Sequence, residues 1–356
     1  MVRENVRHTY TYYYGNSDWD DDFFKFYEKL CKKLGKIWGA KKAKTIIMSG
    51  EGMLGLDAAC ASLTEKGDNV LVISNGIFGY GFKELVENYG GEVTVFETDK
   101  KRAIDKDALR VFLEKNKDKG FKYATVVHCD TPSGVFNDIE EICKMLKSTG
   151  IMTVVDTVSA FGGTPVRVDE WGIDIALGAT QKVLSANTGL TIMSISDLAW
   201  EVIEKRKTKI PSYYVNLSMW KNCVEEKYFP YTIPIHDIAA LDQAIENMFE
   251  EGLDKIISRH YELAEYTRKK LMDMGLELYL KDGYSPTVTA FYVPEGYDVE
   301  EIYSHMKDKY EVMLAKSYGD LHKNVLRIGH MGENARFYRI EYTMRALEKT
   351  LEDLKK

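Results

Sequence analysis

Residues 151–190 read IMTVVDTVSAFGGTPVRVDEWGIDIALGATQKVLSANTGL. IMTVVD is a short apolar run that ends on an acid, Asp156. IDIALGA is a second run, and Lys182 lies just past its end. Short apolar runs bounded by glycines and other turn residues read as buried strands. In open α/β sheets, ligands bind beyond the carboxyl ends of the strands. A carboxylate and an amine are therefore aimed at one crevice. Together they can hold a protonated pyridine ring and form a Schiff base with its aldehyde.

Outward from this stretch the chain alternates. Strands are expected at KTIIM (44–48), NVLVIS (69–74), EVTVFE (92–97), YATVVH (123–128) and GLTIMSIS (189–196). Helices are expected over 22–38, 54–63, 81–90, 105–117 and 137–150, the last with Asn137 as N-cap and Gly150 as C-cap. This alternation predicts an α/β fold: a mostly parallel seven-stranded sheet with helices on both faces. After residue 197 helices dominate to about Glu251, broken by PYTIP (230–234). A long helix from about Leu253 to Met274 then leads into MGLELYL, TVTAFYV, a helix near 298–308, VLRIG and a helix over 336–354, read as a small α+β domain. The expected division is an N-terminal arm (1–20), a large cofactor-binding domain (21–252) and a small C-terminal domain (253–356). The arm holds Tyr10, Tyr12, Tyr13, Tyr14 and Trp19. So many rings suggest packing on something, with a partner subunit as one choice and a partly ordered terminus as the other.

Bulk properties exclude several classes. The net charge is −7 and no basic run stands out, so no nucleic-acid partner is expected. The N-terminus lacks the apolar core of a signal peptide, and no apolar run reaches membrane-spanning length. The five cysteines are odd in number and form no C-x-x-C pair. They read as reduced thiols of a cytoplasmic protein, with neither a disulfide framework nor a metal site.

Most lysines are solvated surface charges. Lys182 sits among small residues, where lost solvation lowers its pKa and frees its lone pair. Asp156 is followed by TVSAFGG, which offers no helix for it to cap, and a buried carboxylate needs a cation. SGEGM (49–53) lies between a strand and a helix. Such turns aim backbone N–H groups at anions, although packing alone also places glycines there.

Taken in order, SGEGM (49–53), NGIFG (75–79), HCDTPSG (128–134), VDTVSAFGG (155–163), ATQK (179–182), TIP (232–234), SPTVTA (285–290) and RIGHMG (327–332) resemble the class V aminotransferases. These are fold type I pyridoxal-phosphate enzymes that include alanine–glyoxylate and serine–pyruvate aminotransferases. The resemblance runs from about Asp22 to the C-terminus. It implies pyridoxal 5′-phosphate as cofactor, an amino acid and a 2-oxo acid as substrates, and a homodimer with its active sites at the interface. Lys182 would form the Schiff base and shuttle a proton between substrate and cofactor. Asp156 would pair with the pyridine nitrogen, Val158 and Phe78 would pack on the two ring faces, and Thr131 would bond the ring hydroxyl. Gln181 and the backbone of Gly52 and Met53 would hold the phosphate beside Glu51, helped by Thr232 of the partner subunit. Arg327 would clamp the substrate carboxylate.

The pattern is broken at four places. Glu51 stands where many relatives carry a small hydroxyl residue, and Phe229 where relatives have a phosphate-binding tyrosine. Two unit charges about 4 Å apart cost roughly 4 kcal/mol at an effective dielectric of 20, and a phosphate carries more than one. SGEGMLGL, GIFGYGF, KYFPYT and RIGHMG are similar to the pyridoxamine–pyruvate transaminase branch, which uses free pyridoxamine. That branch has a second arginine nine residues before the RIGHMG arginine, and here that position is Tyr318. The family's small-residue and proline segment ahead of the first helix is also short here, which would leave the substrate entrance more open. The expected activity is transfer of an amino group from a small amino acid to glyoxylate or pyruvate. The alternative is transamination of phosphate-free pyridoxamine. A cysteine desulfurase is disfavoured because no cysteine follows Cys223, and a dehydrogenase because no G-x-G-x-x-G follows the first strand. Intact Lys182, Asp156 and Arg327 argue against a non-catalytic relative.

Overall fold

In the computed structural model, which describes residues 1–355, seven strands form the central sheet. They are β1 (Lys44–Ser49), β2 (Asn69–Ser74), β3 (Glu92–Glu97), β4 (Tyr123–Val127), β5 (Met152–Asp156), β6 (Ile175–Ala179) and β7 (Leu190–Ile195). Their order is β1-β7-β6-β5-β4-β2-β3. All neighbours are parallel except β7, which runs antiparallel to both β6 and β1. The cause is local. The 180–189 link carries no helix and is shorter than the crossover of about a dozen residues or more that a parallel pair needs. The chain therefore turns straight back. Every residue of β4, β5, β6 and β7 is buried, as expected for strands covered by helices on both faces.

Before and between the strands run α1 (Glu4–His8), α2 (Asp21–Ile37), α3 (Gly52–Leu63), α4 (Ile77–Asn88), α5 (Lys106–Lys115), α6 (Ile139–Ser148) and the single turn α7 (Val168–Trp171). Then come α8 (Asp197–Glu204), α9 (Ile235–Glu251), α10 (Leu253–Asp273), α11 (Val299–Tyr310) and α12 (Phe337–Asp353). A second sheet orders β8 (Val288–Tyr292), β10 (Val325–Gly329) and β9 (Ala315–Lys316), all antiparallel, with β10 in the centre. One hydrophobic core runs from Val6 to Ile256 around the large sheet. Another, containing Leu263, Phe291, Ile302 and Leu347, lies between the small sheet and α10, α11 and α12. No helix is long and apolar enough to cross a membrane among the described residues.

Several elements differ from expectation. α6 is capped by Asp138, whose carboxylate accepts from Glu141 N–H at 3.2 Å, and not by Asn137. Asn137 is instead fully buried. It exchanges amide hydrogen bonds with Asn75, donates to Val127 O and accepts from Ile104 N–H. α4 begins four residues earlier than its apolar spacing suggests. Residues 205–234 are mostly irregular with one 3-10 turn at Leu217–Met219, not helical. Side chains such as Ser62, which accepts from Leu217 N–H, satisfy that backbone. MGLELYL forms no strand, only a bridge from Leu278 to Phe291. The arm packs on its own chain: Asn5 pairs with Asn247 of α9, Tyr10 with Asp237, and Arg3 with Glu333 at 2.8 Å. Tyr12, Tyr13 and Trp19 remain exposed.

Candidate active site

β5 and β6 are adjacent and parallel, with Asp156 opposite Leu177. Asp156 therefore stands at the carboxyl edge of the sheet and Lys182 just beyond it. The Asp156 carboxylate is buried and accepts the Val158 N–H at 2.8 Å. It has no ion-pair partner among the described residues. Burial pushes its pKa up to about 7; Asp130 adds to the rise, while the Val158 N–H and Lys182 oppose it. Lys182 is largely buried, and its amine makes no hydrogen bond among the described residues. Burial lowers its pKa, Arg327 lowers it further, and Asp156 pulls the other way. The result is an amine with weakened charge facing a carboxylate in want of a cation.

The N-terminus of α3 closes one end. Gly52 is needed there because a Cβ would meet Val158 Cγ2 at 3.1 Å and Ala179 Cβ at 3.4 Å. Met53 N–H donates to Glu51 Oε1 at 3.1 Å, so the Glu51 carboxylate caps the helix itself. Gln181 presents a buried Oε1 with no partner. Phe229 is buried in an aromatic cluster with Phe24 and Tyr27 at ring distances of 4.9 and 4.8 Å. Tyr231 places a buried phenol toward the Ser49 backbone.

The Cys129–Gly134 turn and α4 close another side. Phe78 N–H donates to Asp130 Oδ1 at 2.8 Å. Asp130 is buried, which raises its pKa, and Ser133 also bonds it. Gly76 allows this closeness, since a Cβ there would overlap the Asp130 carboxyl. Asp130 thus anchors the helix start that carries Phe78, which accounts for the early start of α4. Thr131 Oγ1 bonds Ser159 Oγ, and Thr131 O accepts from Arg327 Nη1 at 2.8 Å. Arg327 Nη2 donates to Lys316 O at 2.7 Å, and Nε is buried without a partner.

Lys182, Asp156, Val158, Gly52, Thr131 and Arg327 are thus joined through contacts or charge, and Gln181 adjoins Lys182 in the chain. Thr232 is not bonded to any of them. It is exposed, and its hydroxyl donates to Asp18 at 3.4 Å. Asp130, Ser159 and Tyr231 were missed. Asp130 lies within CDTPSG beside Thr131, but its bond to Phe78 spans 52 residues and no local pattern encodes it.

A family model for class V aminotransferases matches residues 1–326. An uncharacterized aminotransferase of Methanocaldococcus jannaschii is 35% identical over 313 residues, covering 87% of this chain and 80% of its own length. The pyridoxamine–pyruvate transaminase of Mesorhizobium japonicum is 32% identical over 321 residues, 89% of this chain and 81% of that protein. The solved structure of an alanine–glyoxylate aminotransferase from Nostoc superposes with a TM-score of 0.93 at 27% identity, over 98% of this chain and 92% of that one.

The isolated charge at Asp156 sets a pH dependence. A carboxylate whose pKa rises on folding costs nothing below its unfolded value of about 4, and its cost grows as pH rises toward the folded value. In the cofactor-free protein, Asp156→Asn should raise Tm by several degrees at pH 8, with the gain shrinking toward pH 4. Thermal melts across that range are the check, and a gain independent of pH would refute the assignment.

Proposed function

The chain belongs to the class V aminotransferases, and from that membership we propose that it moves an amino group from a small amino acid of the alanine or serine type to a 2-oxo acid such as glyoxylate or pyruvate. It is a transaminase, and its cofactor is pyridoxal 5′-phosphate. One observation carries the site assignment: a buried carboxylate without a cation, Asp156, set against a partly buried amine without a hydrogen-bond partner, Lys182.

The residues fit the cofactor. Asp156 would meet the pyridine nitrogen and Thr131 the ring hydroxyl, with Val158 and Phe78 against the ring. The Gly52 and Met53 N–H groups and the Gln181 side-chain NH2 would donate to the phosphate. Thr232 of the partner subunit would complete that end. When bound, the cofactor supplies an electron sink for negative charge at the substrate α carbon. Arg327 holds the substrate carboxylate. Two of its five N–H groups are bonded to carbonyls, which leaves three. Lys182 Nζ, kept weakly basic by burial, would take the proton from the substrate α carbon and deliver it to the cofactor's C4′ carbon.

A second reading has its own observation. Glu51 Oε1 already accepts the Met53 N–H that a phosphate would use, and Phe229 offers no hydroxyl. Phosphate-free pyridoxamine with pyruvate is therefore the alternative chemistry.

We take the assembly to be a homodimer, with the exposed Tyr13, Trp19, Tyr214 and Tyr228 as candidate interface rings and light scattering as the check. The five free, buried cysteines support a cytoplasmic location. The division into 1–20, 21–252 and 253–356 is kept as the working domain scheme.

The loaded enzyme should show a visible absorption band that borohydride removes, and Lys182→Ala should abolish both the band and turnover of alanine with glyoxylate. An unaltered Lys182→Ala enzyme would sink the assignment. Glu51→Ser should tighten pyridoxal 5′-phosphate binding about tenfold or more, because it removes a like charge from the phosphate end. Unchanged affinity, together with turnover only on free pyridoxamine plus pyruvate, would establish the alternative.

A further inference from the structure

Arg327 is buried on the central strand of the small sheet and ion-pairs with no carboxylate among the described residues. A buried guanidinium without a counter-charge is costly, so its surroundings are built to receive an anion. Other cations nearby are spoken for. The Lys316 amine reaches Glu300 at 2.8 Å. His330 is buried between Thr289 Oγ1 and Pro286 O, and burial lowers its pKa to about 3, so it is neutral. His260, bonded to Ile256 O and Gly332 N–H, is also held neutral, with a pKa lowered to about 4. Arg268 is turned to Ser285 O at 3.3 Å and to the Tyr284 ring at 5.2 Å.

One neutral group faces it. The Tyr318 ring centroid lies 5.2 Å from the Arg327 guanidinium carbon, and the phenol supports the guanidinium charge. Tyr318 is nevertheless 56% exposed. Its backbone is pinned at the preceding residue. Ser317 Oγ donates to Pro132 O at 2.7 Å, and Ser317 N–H to Val325 O at 3.3 Å. Gly319 sits against Ile77, the first residue of the helix that carries Phe78. The phenol is therefore held at the mouth of the site, where the small sheet, α4 and the Cys129–Gly134 turn meet.

We propose that Tyr318 is a specificity-determining residue that completes the Arg327 carboxylate site and restricts the enzyme to substrates with a single carboxylate. The phenol oxygen can accept from the guanidinium while its O–H donates to the bound carboxylate, a charge-assisted bond. The ring covers one guanidinium face and keeps water from it. A second carboxylate, as on a dicarboxylic amino or oxo acid, finds at position 318 a phenol already engaged and not a cation. The inference rests on Arg327 being the substrate carboxylate clamp, as read above.

The test is calorimetric titration of the intact, cofactor-loaded enzyme with pyruvate and with 2-oxoglutarate, alongside KM and kcat for both. Because Tyr318 is more than half exposed, its variants should fold. Tyr318→Phe should raise the pyruvate Kd and KM about tenfold or more with kcat within twofold, the loss of one hydrogen bond to a charge. Tyr318→Lys should improve the preference for 2-oxoglutarate over pyruvate at least tenfold. The proposal is overturned if Tyr318→Phe binds pyruvate as tightly as the parent, or if the parent binds both oxo acids equally. Arg327→Lys separates the two levels. If it also leaves pyruvate binding unchanged, the clamp reading fails; if it alone abolishes binding, only the role of Tyr318 fails.

Discussion

The link between β6 and β7 is too short to cross the sheet, and the geometry of the site follows from that constraint. Because β7 turns straight back, its first residue pairs with the last residue of β1, Leu190 with Ser49. The turn after β1 is thereby set beside the turn after β6. Gly50 N–H donates to Gly189 O at 2.7 Å, and the Thr191 hydroxyl donates to Glu51 O at 3.1 Å. The N-terminus of α3 and Lys182, remote in sequence, become two walls of one pocket. A helical crossover at 180–189 would have carried the lysine loop away over one face.

Around that pocket the electrostatics are left open. Asp156, Arg327 and Asp130 are buried and Lys182 is partly buried, yet no two of them form an ion pair. Their charged forms are disfavoured by lost solvation, and their satisfied bonds run mainly to backbone groups. Such a site is costly to fold and rewarding to fill, because a ligand carrying a cation at one end and anions at the other meets groups that have no counter-charge. Glu51 departs from this plan. It supplies an anion from the chain itself at the helix end where the others wait for one from outside.

The α/β architecture was legible because buried strands write themselves as short apolar runs and surface helices as periodic ones. Asp156 and Lys182 were legible because strand ends can be read from those runs. The direction of β7 was not read from its apolar pattern, which is the same for either direction; only the length of the preceding link decides it. Asn137 and Asp138 are both good capping residues, and which one caps depends on Asn75, far away in sequence. The irregular stretch 205–234 carries enough apolar residues to suggest helices, but its backbone N–H groups are met by side chains on other segments: Ser62 accepts from Leu217, and Glu65 from Lys207 and Thr208. Asp130 and Ser159 acquire roles only once distant turns meet. Glu51 was recognised as a departure, while the direction of its carboxylate, back onto Met53 N–H, is a property of the folded turn.

The pairing of β1 with β7 also bears on how the chain is made. β1 is an edge strand whose one sheet neighbour is β7, and residues 50–189 lie between them. During synthesis the apolar KTIIMS segment waits, unpaired along both edges, until residues 190–195 leave the ribosome. Such long-range pairing is slow, and a waiting strand of this kind invites association with other chains. α2, complete well before β7, packs on β1 early: the Tyr27 hydroxyl donates to Ile47 O at 2.7 Å and accepts from its N–H at 2.7 Å. A single phenol on a preceding helix thus occupies both backbone groups of Ile47, the middle of a strand whose permanent neighbour is synthesised much later.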